Sequence, residues 1–346
     1  MYAGFGESPR STPPGQARRA DRRALGMVTA LVVVLLALAM LSWTTVSEEA
    51  SGSGAAPEGA GDGAAPEGAG DGAAPDTDFD DKPGQSPSGD AAATGLADPF
   101  GQRESPSGHE ALVANPLYGT GRLSPRPCPA PGLDVDDTES MKDFLDSVAD
   151  CLDDAWATQF ARAGIPFTPP ERVFWDEPGV SPCRPYPSQA GAFYCRASTS
   201  IYIGTADVVE KWNGATRPVV YASLLAHEYG HHVQGESGLL EYYHEQRQLE
   251  EDPLERNAWT RRSELQANCL SGAFLASVRV SFPLDEDDFE AVLGDARATA
   301  DREDGGEEER THGSADNSVH WTSRGWEEQT PAACNTWDLD DETLVH

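Results

Sequence analysis

The pentapeptide His227-Glu228-Tyr229-Gly230-His231 sets two imidazoles four residues apart. On a helix those positions share a face, so both rings can bind one metal ion. The carboxylate between them, ~100° round the axis, can reach a water on that ion without becoming a ligand. Val219, Val220, Leu224, Leu225 and Val233 supply the apolar residues of such a helix, which the spacing predicts from about Pro218 to Gln234, with Gly235 as its C′ residue. His232 falls on another face and reads as structural or as support for a ligand. A catalytic zinc site needs a third protein ligand and one open position. The segment Arg261 to Cys269 offers Glu264 and Asn268, again four apart. Glu264 can complete a His2Glu set, and Asn268 Oδ1 can accept the ring N–H of a ligand His, fixing its tautomer. Cys269 is the rival ligand, but it points elsewhere on the helix. This set suits metal-assisted hydrolysis, with one Zn2+ polarising a carbonyl and Glu228 moving a proton from water to the leaving group. The carbonyl oxygen then needs a second donor, for which His312 in Thr311–Ser314 and Tyr229 are the candidates.

Those residues must be held by a folded domain, and the pattern of one runs from 124 to 346. Asp137 or Thr138 can cap a helix that carries Met141, Phe144, Leu145, Val148, Leu152, Ala155, Trp156 and Phe160 on one side and ends at Gly164. Val173–Trp175, Ala192–Arg196 and Ser200–Ile203 read as short strands between Pro- and Gly-rich turns. Asp252-Pro253 starts the helix that bears Glu264 and continues to about Val278; a shorter helix follows Ser314. The acidic runs Asp285–Asp288 and Glu307–Glu309 read as solvated loops. All six Cys lie in this domain. An even count suits an exported, disulfide-bonded domain, and sequential pairing (Cys128–Cys151, Cys183–Cys195, Cys269–Cys334) is the expectation, the last bond stapling the C-terminal segment to the Glu264 helix.

Upstream the composition changes. Ala24 to Trp43 holds no charge and, at 1.5 Å per residue, spans ~30 Å, a bilayer's hydrocarbon thickness. Arg18, Arg19, Arg22 and Arg23 precede it and Glu48 and Glu49 follow, which makes 1–23 a cytoplasmic basic tail, 24–43 a transmembrane helix in the lipid bilayer, and the rest extracellular. A cleaved signal peptide, with Ala37-Leu38-Ala39 as its site, is the competing reading, but the apolar run is long for one. Residues 44–123 form a disordered acidic linker, in which GAAPEGAGD occurs twice in tandem at 54–62 and 63–71. With 58 acidic and 25 basic residues and a net charge of −33, the chain repels polyanions, so nucleic acid is excluded as a partner.

HEYGHHVQ, RRSELQANCLSGAF and THGSADNSVHWTSRGWEEQTPAACNTW together resemble the bacterial family of neutral zinc metallopeptidases, a zincin-type group. ANPLYGTGRLSPRPCPAP, GAFYCRASTSIYIG and the lone anchor are similar as well, and the likeness covers roughly 114–338. The resemblance implies an α+β, zincin-like domain, with an active-site helix pair and a small sheet. It also implies His227, His231 and Glu264 as zinc ligands, Glu228 as general base, and a peptide or protein substrate laid along a strand edge, for which Ser200–Ile203 is the candidate. The family's block commonly reads ELQADC. Here Asn268 replaces the Asp, and a neutral amide raises ligand basicity less than a carboxylate. The leading expectation is a membrane-anchored extracellular zinc-dependent endopeptidase. A catalytically silent, zinc-stabilised binding or scaffold domain is the alternative, and a hydrolase of non-peptide amides such as cell-wall crosslinks is the third reading.

Overall fold

Leu112, Leu117 and Leu123 are buried in the main core, so packing in the computed structural model starts before residue 124. The structure describes residues 104–129, 131–187, 191–212 and 214–346. The expected tail (1–23), membrane helix (24–43) and most of the linker lie outside these residues. The last part of the expected linker does not: α1 (His109–Val113) and a 3-10 turn (Pro116–Gly119) occupy it. Asn115 fixes that entry, its side chain accepting from Leu117 N and donating to the Ala111 and Ser237 carbonyls. Scattered leucines in a Pro- and Gly-rich stretch carry too weak a pattern to announce this packing.

Helix α2 (Thr138–Ala163) forms as its apolar spacing predicts: Asp137 caps it by accepting from Glu139 N, Gly164 closes it, and all eight expected residues are buried. The chain then makes β1 (Glu171–Trp175), a small hairpin of β2 (Gly179–Val180) and β3 (Pro185–Tyr186), β4 (Ala192–Cys195) and β5 (Ser200–Gly204). β5 pairs parallel with β1 and antiparallel with β4, giving the order β1-β5-β4. β5 is therefore the central strand, and both of its edges are taken. The expectation that Ser200–Ile203 offers an edge to substrate is thus corrected: a short apolar run does not reveal which neighbours it pairs with.

The helices that follow are α3 (Thr205–Lys211), α4 (Pro218–Glu236), α5 (Leu239–Leu249), α6 (Pro253–Val278), α7 (Glu286–Ala298) and α8 (Ala315–Glu328). Together with the small sheet they make a mixed helix-and-sheet, α+β domain. Three boundaries differ from the sequence reading. α4 continues through Gly235, where the Tyr194 hydroxyl would lie 3.0 Å from an added Cβ, and the left-handed residue is Gly238 (φ 77°) instead. Asp285–Asp288 is no loop: Asp285 and Asp288 form a reciprocal capping box that starts α7. Glu307–Glu309 makes one 3-10 turn. The helix after Ser314 forms as expected, with the Ser314 hydroxyl accepting from Asn317 N.

Helix α6 is the spine of the domain, with α4 against one part of it and α8 against another. Gly325 of α8 leaves no room for a Cβ against the Cys269 carbonyl oxygen, so those two backbones touch. The three disulfides join Cys128 to Cys151, Cys183 to Cys195 and Cys269 to Cys334, the expected sequential pairing. Among the described residues no helix is long and apolar enough to cross a membrane.

Candidate metal centre

Two neighbouring turns of α4 carry His227 and His231, and Pro218 in its first turn starts that helix with a residue that has no N–H to satisfy. The face opposite must come close if a third ligand is to reach the pair. Gly230 permits it: a Cβ there would lie 3.1 Å from Ala267 Cα and 3.2 Å from its Cβ, so α4 and α6 pack almost backbone to backbone. That contact delivers Glu264, which is fully buried. Its Oε2 lies 3.2 Å from His227 Nε2 and 3.4 Å from His231 Nε2, and the two Nε2 atoms are 3.2 Å apart.

Tetrahedral coordination with bonds of 2.0–2.1 Å puts neighbouring ligand atoms ~3.3 Å apart. The three observed separations match that edge, and the donor set of two imidazoles and a carboxylate suits zinc. His227, His231 and Glu264 form the one group of three such residues able to hold a metal ion found among the described residues. His231 and Glu264 are buried, while the His227 side chain keeps 18% exposure, so the centre opens on the His227 side.

Each imidazole is turned by an amide. His227 Nδ1 lies 2.9 Å from Asn268 Oδ1, and His231 Nδ1 lies 2.9 Å from Gln234 Oε1. An amide oxygen can only accept, so both rings carry their proton on Nδ1 and aim the Nε2 lone pair at the common point. Gln234 is itself fixed, donating to the Ser263 carbonyl and to Gln266 Oε1 and accepting from the Ser263 hydroxyl. Gln266 in turn donates to the Tyr118 hydroxyl and the Cys334 carbonyl. Asn268 stands where the sequence expected support for a ligand. Gln234 was missed, although its position three residues after His231 on one helix face was a usable signal.

The electrostatics follow from burial. Burial alone would raise Glu264, but the adjacent imidazoles outweigh it and hold the carboxyl well below its ordinary range. Burial would likewise lower His231, yet Glu264 holds it up at about 9. Glu228 is 4% exposed, and desolvation raises its carboxyl above the usual value.

A cavity of about 50 Å³ opens beside His227 and Glu228, and His312 also lines it. His312 rides on a turn built around Asp301, whose Oδ1 accepts from Thr311 N and His312 N at 2.9 Å and whose Oδ2 accepts from Gly313 N at 2.7 Å. The other candidate donor is elsewhere: the Tyr229 hydroxyl is buried and donates to Asp153 Oδ1 at 2.6 Å, so its expected role is withdrawn. His232 is structural. Its Nε2 donates to the Thr168 carbonyl at 2.8 Å, and burial pushes it down to about 4.

Residues 123–337 match the family described as "Putative neutral zinc metallopeptidase", and the chain belongs to that family. Among similar proteins, "Uncharacterized protein YpfJ" of Escherichia coli K12 is 30% identical over 205 residues, covering 56% of this chain and 70% of that protein. "Uncharacterized protein Rv2575" of Mycobacterium tuberculosis H37Rv is 30% identical over 193 residues, covering 50% and 64%. No solved structure matches at a significant level.

Proposed function

We propose that this chain is a zinc-dependent endopeptidase of zincin-like architecture, acting on peptide or protein substrates outside the cell membrane to which residues 24–43 anchor it. The observation that carries this reading is the triangle of His227 Nε2, His231 Nε2 and Glu264 Oε2 at 3.2–3.4 Å, with the Glu228 carboxyl beside it and no ligand role of its own. Zinc held by these three supplies Lewis acidity, polarising the scissile carbonyl and bringing the pKa of a water near 7. Glu228 accepts the proton of the attacking water and returns it to the departing nitrogen. Burial, by raising its carboxyl, brings its basicity closer to the pH at which it must do both. His312, held by Asp301 at the mouth of the same cavity, donates to the carbonyl oxygen as charge develops there. Asn268 and Gln234 keep both ligand rings in the productive tautomer.

The test is the purified zinc-loaded ectodomain beside Glu228→Ala, each incubated with a diverse peptide library, with products read by mass spectrometry and zinc by elemental analysis. Cleavage by the native protein, a loss of at least a thousandfold in the variant and unchanged zinc content are the expected results. Equal cleavage by both, or zinc lost with Glu228, would remove that residue from its role. No cleavage by either with zinc bound would favour the scaffold reading.

A further inference from the structure

The cavity beside Glu228 contains one charged group for which the hydrolytic mechanism has no use. Asp295, on α7, lines the same cavity as His227 and Glu228. Its Oδ1 accepts the Trp212 indole N–H, which fixes the plane of the group. Among the described residues no Arg or Lys forms an ion pair with it, and its side chain accepts no second hydrogen bond. Arg184, the cation whose field reaches Glu228, is not among the groups acting on Asp295. The cavity wall mixes apolar side chains, Leu224 and Ala296 among them, with the hydroxyl residues Ser223, Ser271 and Thr299. His227 is the one positive group whose field reaches it. A half-buried carboxylate with no Arg or Lys beside it remains costly, and a chain keeps one where something else supplies the missing charge.

We infer that Asp295 is a specificity-determining residue that receives an ammonium group of the substrate immediately beside the scissile bond. This rests on the peptidase reading and names the class of substrate for that same site. Geometry favours an ammonium: the cavity, about 50 Å³, admits a compact NH3+ group on a slender stem better than a planar guanidinium or an aromatic ring. Ser223 and Thr299 oxygens are further acceptors for the three N–H bonds that an ammonium offers. The ammonium has two sources, a lysine side chain next to the cleaved bond or the free α-amine of the substrate, and the two are separable.

The experiment uses peptides with Lys, ornithine or norleucine on either side of the cleaved bond, each with a free or an acetylated N-terminus. Native protein and Asp295→Asn are compared; Asn keeps the shape and the acceptor for Trp212 and removes only the charge. The expected result is a kcat/KM ratio of Lys over norleucine of ten or more in the native protein, falling to near one in Asp295→Asn. Dependence on the side chain regardless of acetylation identifies lysine as the source, and dependence on the free N-terminus identifies the α-amine. A ratio near one in the native protein, or an unchanged ratio in the variant, overturns the inference. The native peptide series decides this even if the variant fails to fold. Binding of the same peptides to Glu228→Ala by calorimetry separates the two readings. A tenfold preference for the ammonium there, without turnover in the native protein, upholds the cation site while the peptidase reading falls, and equal binding of Lys and norleucine peptides overturns the cation site.

Discussion

At the residue scale, the ligands and their base were legible because their relation is local. His227, Glu228 and His231 lie within one and a half turns, and Glu264 and Asn268 within another, so helix geometry alone groups them. Asp301 and Asp295 were not legible. Each acts on residues that only the fold brings near, the turn at Thr311–Gly313 in one case and Trp212 and the cavity in the other. Asp295 leaves a signature in stability. Burial pushes its carboxyl up to about 6 from an ordinary 3.8, against the opposing effects of Trp212 and His227. A carboxyl raised on folding adds stability that is complete below its unfolded value and is lost as pH rises through its folded value. In metal-free protein, Asp295→Asn is therefore expected to be more stable than native by ~1–3 kcal/mol at pH 7.5, with the advantage gone by pH 4. Urea unfolding of both proteins at pH 4, 5.5 and 7.5 measures it. A native protein that remained the more stable at pH 7.5 would mean that the ionised carboxylate is compensated after all.

At the element scale, the site depends on how closely α4 and α6 approach. Gly230 and Ala267 set that distance, and a branched side chain at Gly230 pushes against the Ala267 backbone and its rigid methyl group. Gly230→Val is expected to cost ~1–3 kcal/mol of stability through overpacking. It should also weaken zinc binding at least tenfold, because Glu264 moves away from the His pair. Chemical denaturation and zinc titration against a chelator give the two numbers, and unaltered affinity would show that α6 can shift without carrying Glu264 off. Helices α2, α4, α6 and α8 were predictable from capping and apolar spacing, as Asp137, Asp252 and Ser314 each show, whereas α3 and α5 were not foreseen. The acidic start of α7 was not, since Asp285–Asp288 reads as a charge run until the reciprocal cap is seen. β5 misled for a related reason: strand order is a property of the sheet, and Ser200–Ile203 carries no mark of having two neighbours.

At the scale of the whole molecule, the mixed class of the domain was readable from a group of short strands set between long helices, and its upstream limit was not. The packed residues Ala111, Leu112 and Leu117 are too few to stand out against a linker's composition. The even cysteine count was the strongest long-range signal, and the Cys269–Cys334 bond ties the two ends of that reading together. Cys269 directly follows Asn268, which orients His227, and the Cys334 carbonyl accepts from Gln266, the residue behind Gln234 and His231. Both imidazoles thus depend on partners adjoining one covalent bond. A Cys269→Ala/Cys334→Ala protein, which has no thiols at that pair to bind metal, is expected to hold zinc at least tenfold more weakly than native; equal affinity would detach the bond from the site. Newly made chain, its thiols still reduced, would then hold its metal poorly. Oxidation would serve as the maturation step, setting by compartment and time when the site gains its metal.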